Sequence, residues 1–240
     1  MKQVVKFLIC ILVFLNQYKI CYSQLFGGQI IANSCYPAGT VFCASGPNQI
    51  VEITNPLTGA TWMDRNLGAT QVATSPTDAA AYGDLYQWGR RSDGHQCRNS
   101  ANTNVISSVD QPLHGDFILA PNNPKDWRSP QNNSLWQGIN GINNPCPCDF
   151  RLPTGAELTA EYQSWASNNA SGAFGSVLKF TRNGYRSGVN GTLINTGAGG
   201  DYFSSTISGI NVLYLAYDGS VAYVGTSERS FGRAVRCIKD

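Results

Sequence analysis

The run Cys146-Pro147-Cys148-Asp149-Phe150-Arg151-Leu152-Pro153-Thr154, with the segment behind it, restricts this chain more than any other stretch. Thr154 and Glu157 have the T-x-x-E spacing of a capping box, in which the hydroxyl takes the free amide at N3 and the carboxylate reaches back to the N-cap amide. Leu158, Tyr162, Trp165 and Ala166 then fall on one face of a helix. Asn, Ser and Gly cluster over 168–172 and end it, so the spacing predicts one main helix over about 155–168. The two cysteines ahead of the cap can tie the helix entry to distant parts of the chain.

The first residues read as an export signal. Lys2 and Lys6 precede an apolar run from Phe7 to Leu15, and small residues follow at Cys21 and Ser23. The run is too short for a membrane span, which needs roughly 20 residues. The expected organisation is a signal over 1–23 cleaved between Ser23 and Gln24, a lead-in over 24–48, and one domain over 49–240. A lipoprotein signal anchored at Cys21 is the rival, but Tyr18-Lys19-Ile20 does not match the small residues such processing prefers. Loss of Lys2, Lys6 and Lys19 takes the formal charge from +2 to −1, which leaves no electrostatic case for nucleic acid. No later segment is long and apolar enough to span a membrane. A secreted or cell-surface location is therefore expected.

Six cysteines lie beyond the signal: Cys35, Cys43, Cys97, Cys146, Cys148 and Cys237. In an exported chain an even number implies disulfides, and six allow 15 pairings. Cys146 and Cys148 are too close to bridge each other without strain. Cys35 and Cys43, with Pro37-Ala38-Gly39 between them, suit a local loop staple. A zinc site is disfavoured by the tight Cys-x-Cys spacing and by export, so neither metal nor cofactor is expected.

Along the chain, Ile50–Thr54 and Ala60–Met63 flank Asn55-Pro56-Leu57-Thr58-Gly59 and read as a hairpin. Residues 90–145 are dense in Asn, Pro, Ser, Asp and Gly and read as a long irregular loop region. Strands are predicted over 176–181, 185–188, 191–196, 201–206 and 233–238. Asn211–Tyr217 and Ser220–Val224, separated by Asp218-Gly219, form the clearest hairpin. The fold class is α+β, one good helix among short antiparallel strands.

Four blocks also carry a resemblance: Thr61-Trp62-Met63-Asp64-Arg65-Asn66-Leu67-Gly68, Tyr82-Gly83-Asp84-Leu85-Tyr86-Gln87-Trp88-Gly89, the Cys146–Thr154 run, and Ala234-Val235-Arg236-Cys237. In order and spacing they resemble the Fibrobacter succinogenes major paralogous (FISUMP) domain family of exported bacterial proteins, over about 50–240. The resemblance implies a C-type-lectin-like fold, related to the formylglycine-generating enzymes, and brings no catalytic residues. It also implies a Cys146–Cys237 bridge, after which Cys97–Cys148 and Cys35–Cys43 are the expected remainder.

Little in the chain points to chemistry. Both histidines, His95 and His114, lie in the loop region; Asp93-Gly94-His95 is a suggestive acid–base pair, and a nucleophile to go with it is missing. Phosphate-loop motifs and calcium-lectin triplets are absent. Binding is the better reading. Trp127 and Trp136, flanked by Asn and Gln, have the composition of a sugar-stacking platform, and the strands near Tyr185 and Tyr202 offer a second surface. The expected role is a non-catalytic binding, adhesion or structural module for an extracellular glycan or surface protein. The alternative is a formylglycine-generating-like enzyme or an accessory to a secreted hydrolase.

Overall fold

The computed structural model describes residues 35–240 apart from Ser45. The expected signal, its cleavage point at Ser23–Gln24 and the first part of the lead-in lie outside the described residues. The strands are β1 (Glu52–Thr54), β2 (Thr61–Met63), β3 (Tyr86–Gln87), β4 (Asn102–Thr103), β5 (Phe117–Ile118), β6 (Phe150–Arg151), β7 (Tyr185–Arg186), β8 (Leu193–Ile194), β9 (Gly200–Ser208), β10 (Asn211–Tyr217), β11 (Ala222–Ser227), β12 (Gly232–Arg233) and β13 (Ile238–Lys239). Two helices, α1 (Gly155–Gln163) and α2 (Ala170–Gly175), lie between β6 and β7. The class is α+β. Among these strands only β4 and β5 pair in parallel. The sheets run β1-β2-β13-β6, β3-β12-β7-β8 and β11-β10-β9, so the last strand lies beside the first hairpin.

The capping box forms as its spacing dictates. Glu157 N donates to Thr154 Oγ1 at 3.2 Å, and Thr154 N donates to the Glu157 carboxylate at 2.7 Å. Arg151 adds two bonds to the same carboxylate, at 2.8 and 2.9 Å, which locks strand β6 to the helix start. The helix is shorter than predicted. Beyond Gln163 the chain turns, and Trp165 enters the core from outside the helix while Ala166 stays exposed. Asn169, expected inside the terminator, instead caps α2 by accepting from Ser171 N and Gly172 N. The residue types that stop one helix are those that start another.

The strand expected over 176–181 does not form. Leu178 and Phe180 are buried, but the backbone bonds sideways: Phe180 N donates to Ala173 O, and the Leu178 carbonyl accepts from Arg236. The Asp218-Gly219 turn is longer than predicted. Asp218 Oδ1 accepts from Ser220 N and Val221 N, so β11 begins at Ala222 and runs to Ser227.

The β9–β10–β11 sheet separates two cores. One holds Trp62, Leu158, Trp165, Phe180, Tyr202, Leu215 and Tyr217. The other holds Trp88, Trp127, Trp136, Phe150, Phe203 and Val212. Alternation along β10 accounts for this: Leu215 and Tyr217 face α1, and Val212 and Tyr214 face away.

Three of the four motif blocks meet around Asn66, and the fourth, the Cys146–Thr154 run, joins them through the Cys146–Cys237 bridge and the pairing of β6 with β13. Its amide donates to the Ala81 and Tyr82 carbonyls, at 3.2 and 3.0 Å, and its Oδ1 accepts from Arg236 Nε at 2.9 Å. Arg236 is buried, stacks over Phe180 at 4.9 Å, and reaches the Met63 and Leu178 carbonyls. Leu67 N bonds Val235 O, Asp84 N bonds Leu67 O, and Met63 N bonds Cys237 O. The blocks are a structural hub.

Cys146–Cys237 forms as the resemblance implies, with the Cα atoms 5.9 Å apart. The other two expected pairings are corrected: the bridges are Cys35–Cys148 and Cys43–Cys97. Residues 35–43 do not curl into a local loop. They cross the body, where Cys148 N bonds Cys35 O at 2.6 Å, Val41 N bonds Ser92 O at 2.8 Å and Gln96 bonds Val41 O at 2.8 Å. Each cysteine is thereby delivered to a distant partner. The described residues of the expected lead-in, from Cys35 to Asn48, are a strap within the same compact unit as the domain.

Candidate functional site

The tryptophans of the expected platform are not at the surface. Trp127 and Trp136 are both 0% exposed, and their indole N–H groups donate inward, to Trp88 O at 2.7 Å and to Asn143 O at 2.9 Å. Trp136 packs against Trp88, Tyr86 and Phe203 at 5.8–6.5 Å between ring centroids. They hold the irregular 90–145 region onto the body and leave no free ring face for a sugar. Tyr202 is likewise buried, with its hydroxyl shared among Asn66 and the Thr181 backbone.

Asp93 and His95 do come together. Asp93 Oδ1 lies 2.7 Å from His95 Nδ1, an arrangement found in catalytic dyads. The other ring nitrogen, however, accepts from Gln87 N at 3.0 Å, and the ring is 0% exposed. Burial and the Arg90 charge push His95 down to about 4. Burial would raise the Asp93 carboxyl, but the His95 and Arg90 charges outweigh it and bring Asp93 down to about 2. Above that range this is a neutral imidazole with both nitrogens engaged, a structural clasp that joins β3 to the following loop.

Tyr185, the remaining residue expected at a binding surface, does reach a cleft. It lines an open depression of about 220 Å³ with Tyr214, Tyr223, Phe231, Asp201 and Arg233, rimmed by Asn195, Asp218 and Val221. Sheet register builds its floor. Asp201, Ala216 and Tyr223 stand in one cross-strand row, and Phe203, Tyr214 and Gly225 in the next. Small residues at 216 and 225 leave the space that the tyrosines border. The opposite wall is Tyr185 on β7 with Phe231 and Arg233 from the β12 segment. Tyr214 and Tyr223 approach edge to face at 6.4 Å, and Tyr185 lies 5.9 Å from Phe231.

Arg233 occupies the centre of these rings. Its guanidinium carbon lies 3.7 Å from the Tyr214 centroid, 5.1 Å from Tyr185 and 5.9 Å from Phe231. It forms an ion pair with the Asp201 carboxylate and donates from Nε and Nη2 to Ser227 Oγ, at 3.1 and 2.9 Å. Burial raises the Asp201 carboxyl, against the pull of Arg233. Burial also raises the Tyr214 phenol, so it remains protonated at physiological pH. Tyr223 is 45% exposed and stands at the mouth.

Sequence reasoning found the 211–224 hairpin and singled out Tyr185 but missed the rest of this site. The signal was one aromatic on each hairpin strand, Tyr214 and Tyr223, each opposite a small residue, Gly225 and Ala216. A larger depression of about 360 Å³ lies among residues 104–129, lined by aliphatic and amide side chains together with Asp126, Arg128 and Ser129, without an aromatic ring. Among the described residues no group of three or more His, Cys, Asp or Glu side chains is placed to hold a metal ion. No helix of the described residues is long and apolar enough to cross a membrane. The three disulfides are compatible with an extracellular location. Comparison with family models, with curated proteins and with solved structures found no match.

Proposed function

We propose that this chain is an extracellular, non-catalytic binding module of the FISUMP type with a C-type-lectin-like fold, and that its ligand site is the Tyr185–Tyr214–Tyr223–Phe231 cleft. The observation that carries the reading is the box of partly exposed aromatic rings around a buried Arg233–Asp201 pair, next to solvent. Aromatic faces with a few convergent polar groups are the usual make-up of a small-ligand site. The family reading is supported by three motif blocks meeting at Asn66, by the Cys146–Cys237 bridge that joins the fourth to them, and by β13 lying beside β2.

The enzyme alternative has less support. Formylglycine-type chemistry needs reactive thiols, and all six described cysteines are in bridges. The Asp93–His95 pair is sealed and its nitrogens are occupied.

A glycan array probed with the purified protein and with Tyr223→Ala tests the reading. Because the Tyr223 ring is half solvent-exposed, its loss should leave the melting temperature within about 2 °C, since exposed substitutions cost little. Binding should fall at least about tenfold, as expected when a stacking aromatic is truncated. Binding retained by Tyr223→Ala would place the site elsewhere.

A further inference from the structure

The charge balance inside the cleft restricts what it can hold. Its lining carries one cation, Arg233, and two carboxylates, Asp201 and Asp218. Arg233 is already neutralised by Asp201, and Asp218 sits exposed on the rim. An acidic ligand would find no surplus positive charge and a carboxylate at the entrance. A cationic ligand would seek the aromatic faces, but Arg233 already occupies those of Tyr214 at 3.7 Å and Tyr185 at 5.1 Å. A purely apolar ligand would seal the ion pair from water without giving it new partners, which is costly.

Polar atoms remain for an uncharged, hydroxyl-bearing ligand. Three of the five Arg233 N–H groups are used, one on Asp201 and two on Ser227, so two are left for a ligand oxygen. The Tyr214 and Tyr223 hydroxyls, 3.4 Å apart, and the exposed Asn195 amide border the same space. The volume, about 220 Å³, is below the roughly 300–1,000 Å³ of sites for drug-sized ligands, which suits one ring at a time.

We infer that the occupant is an uncharged pyranose ring of an extracellular glycan, seated against Tyr223 and hydrogen-bonded by the Arg233–Asp201 pair. This rests on the cleft being the ligand site. None of its lining residues belongs to the 90–145 loop region.

The test is calorimetric titration of the full protein with neutral oligosaccharides (cello-, manno- and laminari-hexaose), with oligogalacturonate, and with choline chloride. At least one neutral oligosaccharide should bind, with affinity changing less than about twofold between about 50 and about 500 mM NaCl, because no net charge is paired. Tyr223→Ala should reduce that affinity about tenfold or more. Asp201→Asn, if it folds, unmasks Arg233 and should shift preference toward oligogalacturonate; Tyr223→Ala carries the test if it does not. Binding of oligogalacturonate or choline by the wild type, lost in Tyr223→Ala, overturns the uncharged-sugar inference and keeps the cleft. Neutral-sugar binding unaffected by Tyr223→Ala overturns the cleft itself. Failure of every probe overturns the inference.

Discussion

Asp84 is a buried carboxylate whose removal should stabilise the protein above neutral pH. It is 6% exposed and lies against the Cα of Gly68, whose φ of +81° brings the backbone up to the carboxylate. A Cβ at position 68 would overlap the carboxylate, so the site tolerates glycine there. Burial pushes Asp84 up from 3.8 to about 7, against the pull of the Arg98 charge. The folded state then holds a proton that the unfolded state has lost over the window between about pH 4 and pH 7, so stability falls as pH rises through it. A shift of about three units at 1.36 kcal/mol each sets an upper bound of ~4 kcal/mol, and ~2 kcal/mol is reasonable once local relaxation screens the charge. Asp84→Asn cannot ionise. It should match the wild type near pH 4 and exceed it by ~2–4 kcal/mol near pH 8.5, or roughly 4–16 °C for a domain of this size. Thermal melts of both proteins across that range measure it, and the subtraction cancels other titrating groups such as Asp126, Asp201 and His95. A difference in melting temperature that stays flat with pH would falsify the account of Asp84.

The remaining predictions concern the scaffold. Non-reducing peptide mapping should recover Cys35–Cys148, Cys43–Cys97 and Cys146–Cys237, and a Cys35–Cys43 peptide would contradict the strap. Replacing Cys146 and Cys237 together by Ser should cost ~4–5 kcal/mol in the chain-entropy model for a separation of 91 residues, measured by urea unfolding. Trp127→Ala should lose ~3–5 kcal/mol, because it empties a fully buried site, with any loss of binding tracking loss of fold. Thr154→Ala should lose ~1 kcal/mol by breaking the capping box, read as a small drop in melting temperature.

What was legible in the sequence was local. The capping box, the first hairpin and the Asp-Gly hairpin each depend on residues within a few positions, and each forms, with shifted ends. The strand expected over 176–181 fails because Leu178 and Phe180 are buried by tertiary contacts that need no ladder. The platform expectation fails for a related reason: composition shows that Trp127 and Trp136 are beside amides, but not that their indole N–H groups find backbone carbonyls inside. The cleft was the least legible, since Tyr185, Asp201, Tyr214, Tyr223 and Arg233 come from separate strands. Only the register between β9, β10 and β11 puts Asp201, Ala216 and Tyr223 in one row.

The interleaved bridges bear on how a cell can make this protein. In an unfolded chain, closing the short Cys35–Cys43 loop is favoured over the 113-residue Cys35–Cys148 loop by ~2 kcal/mol of closure entropy, roughly fiftyfold. These two cysteines also leave the ribosome before either native partner. Oxidation ahead of folding therefore runs preferentially into the wrong pair, and the native set requires either that the strap docks on the body first or that a disulfide-exchange catalyst reopens the early bond. Production in a compartment that oxidises thiols without isomerising them should accumulate a misbridged form, and supplying an isomerase should recover it.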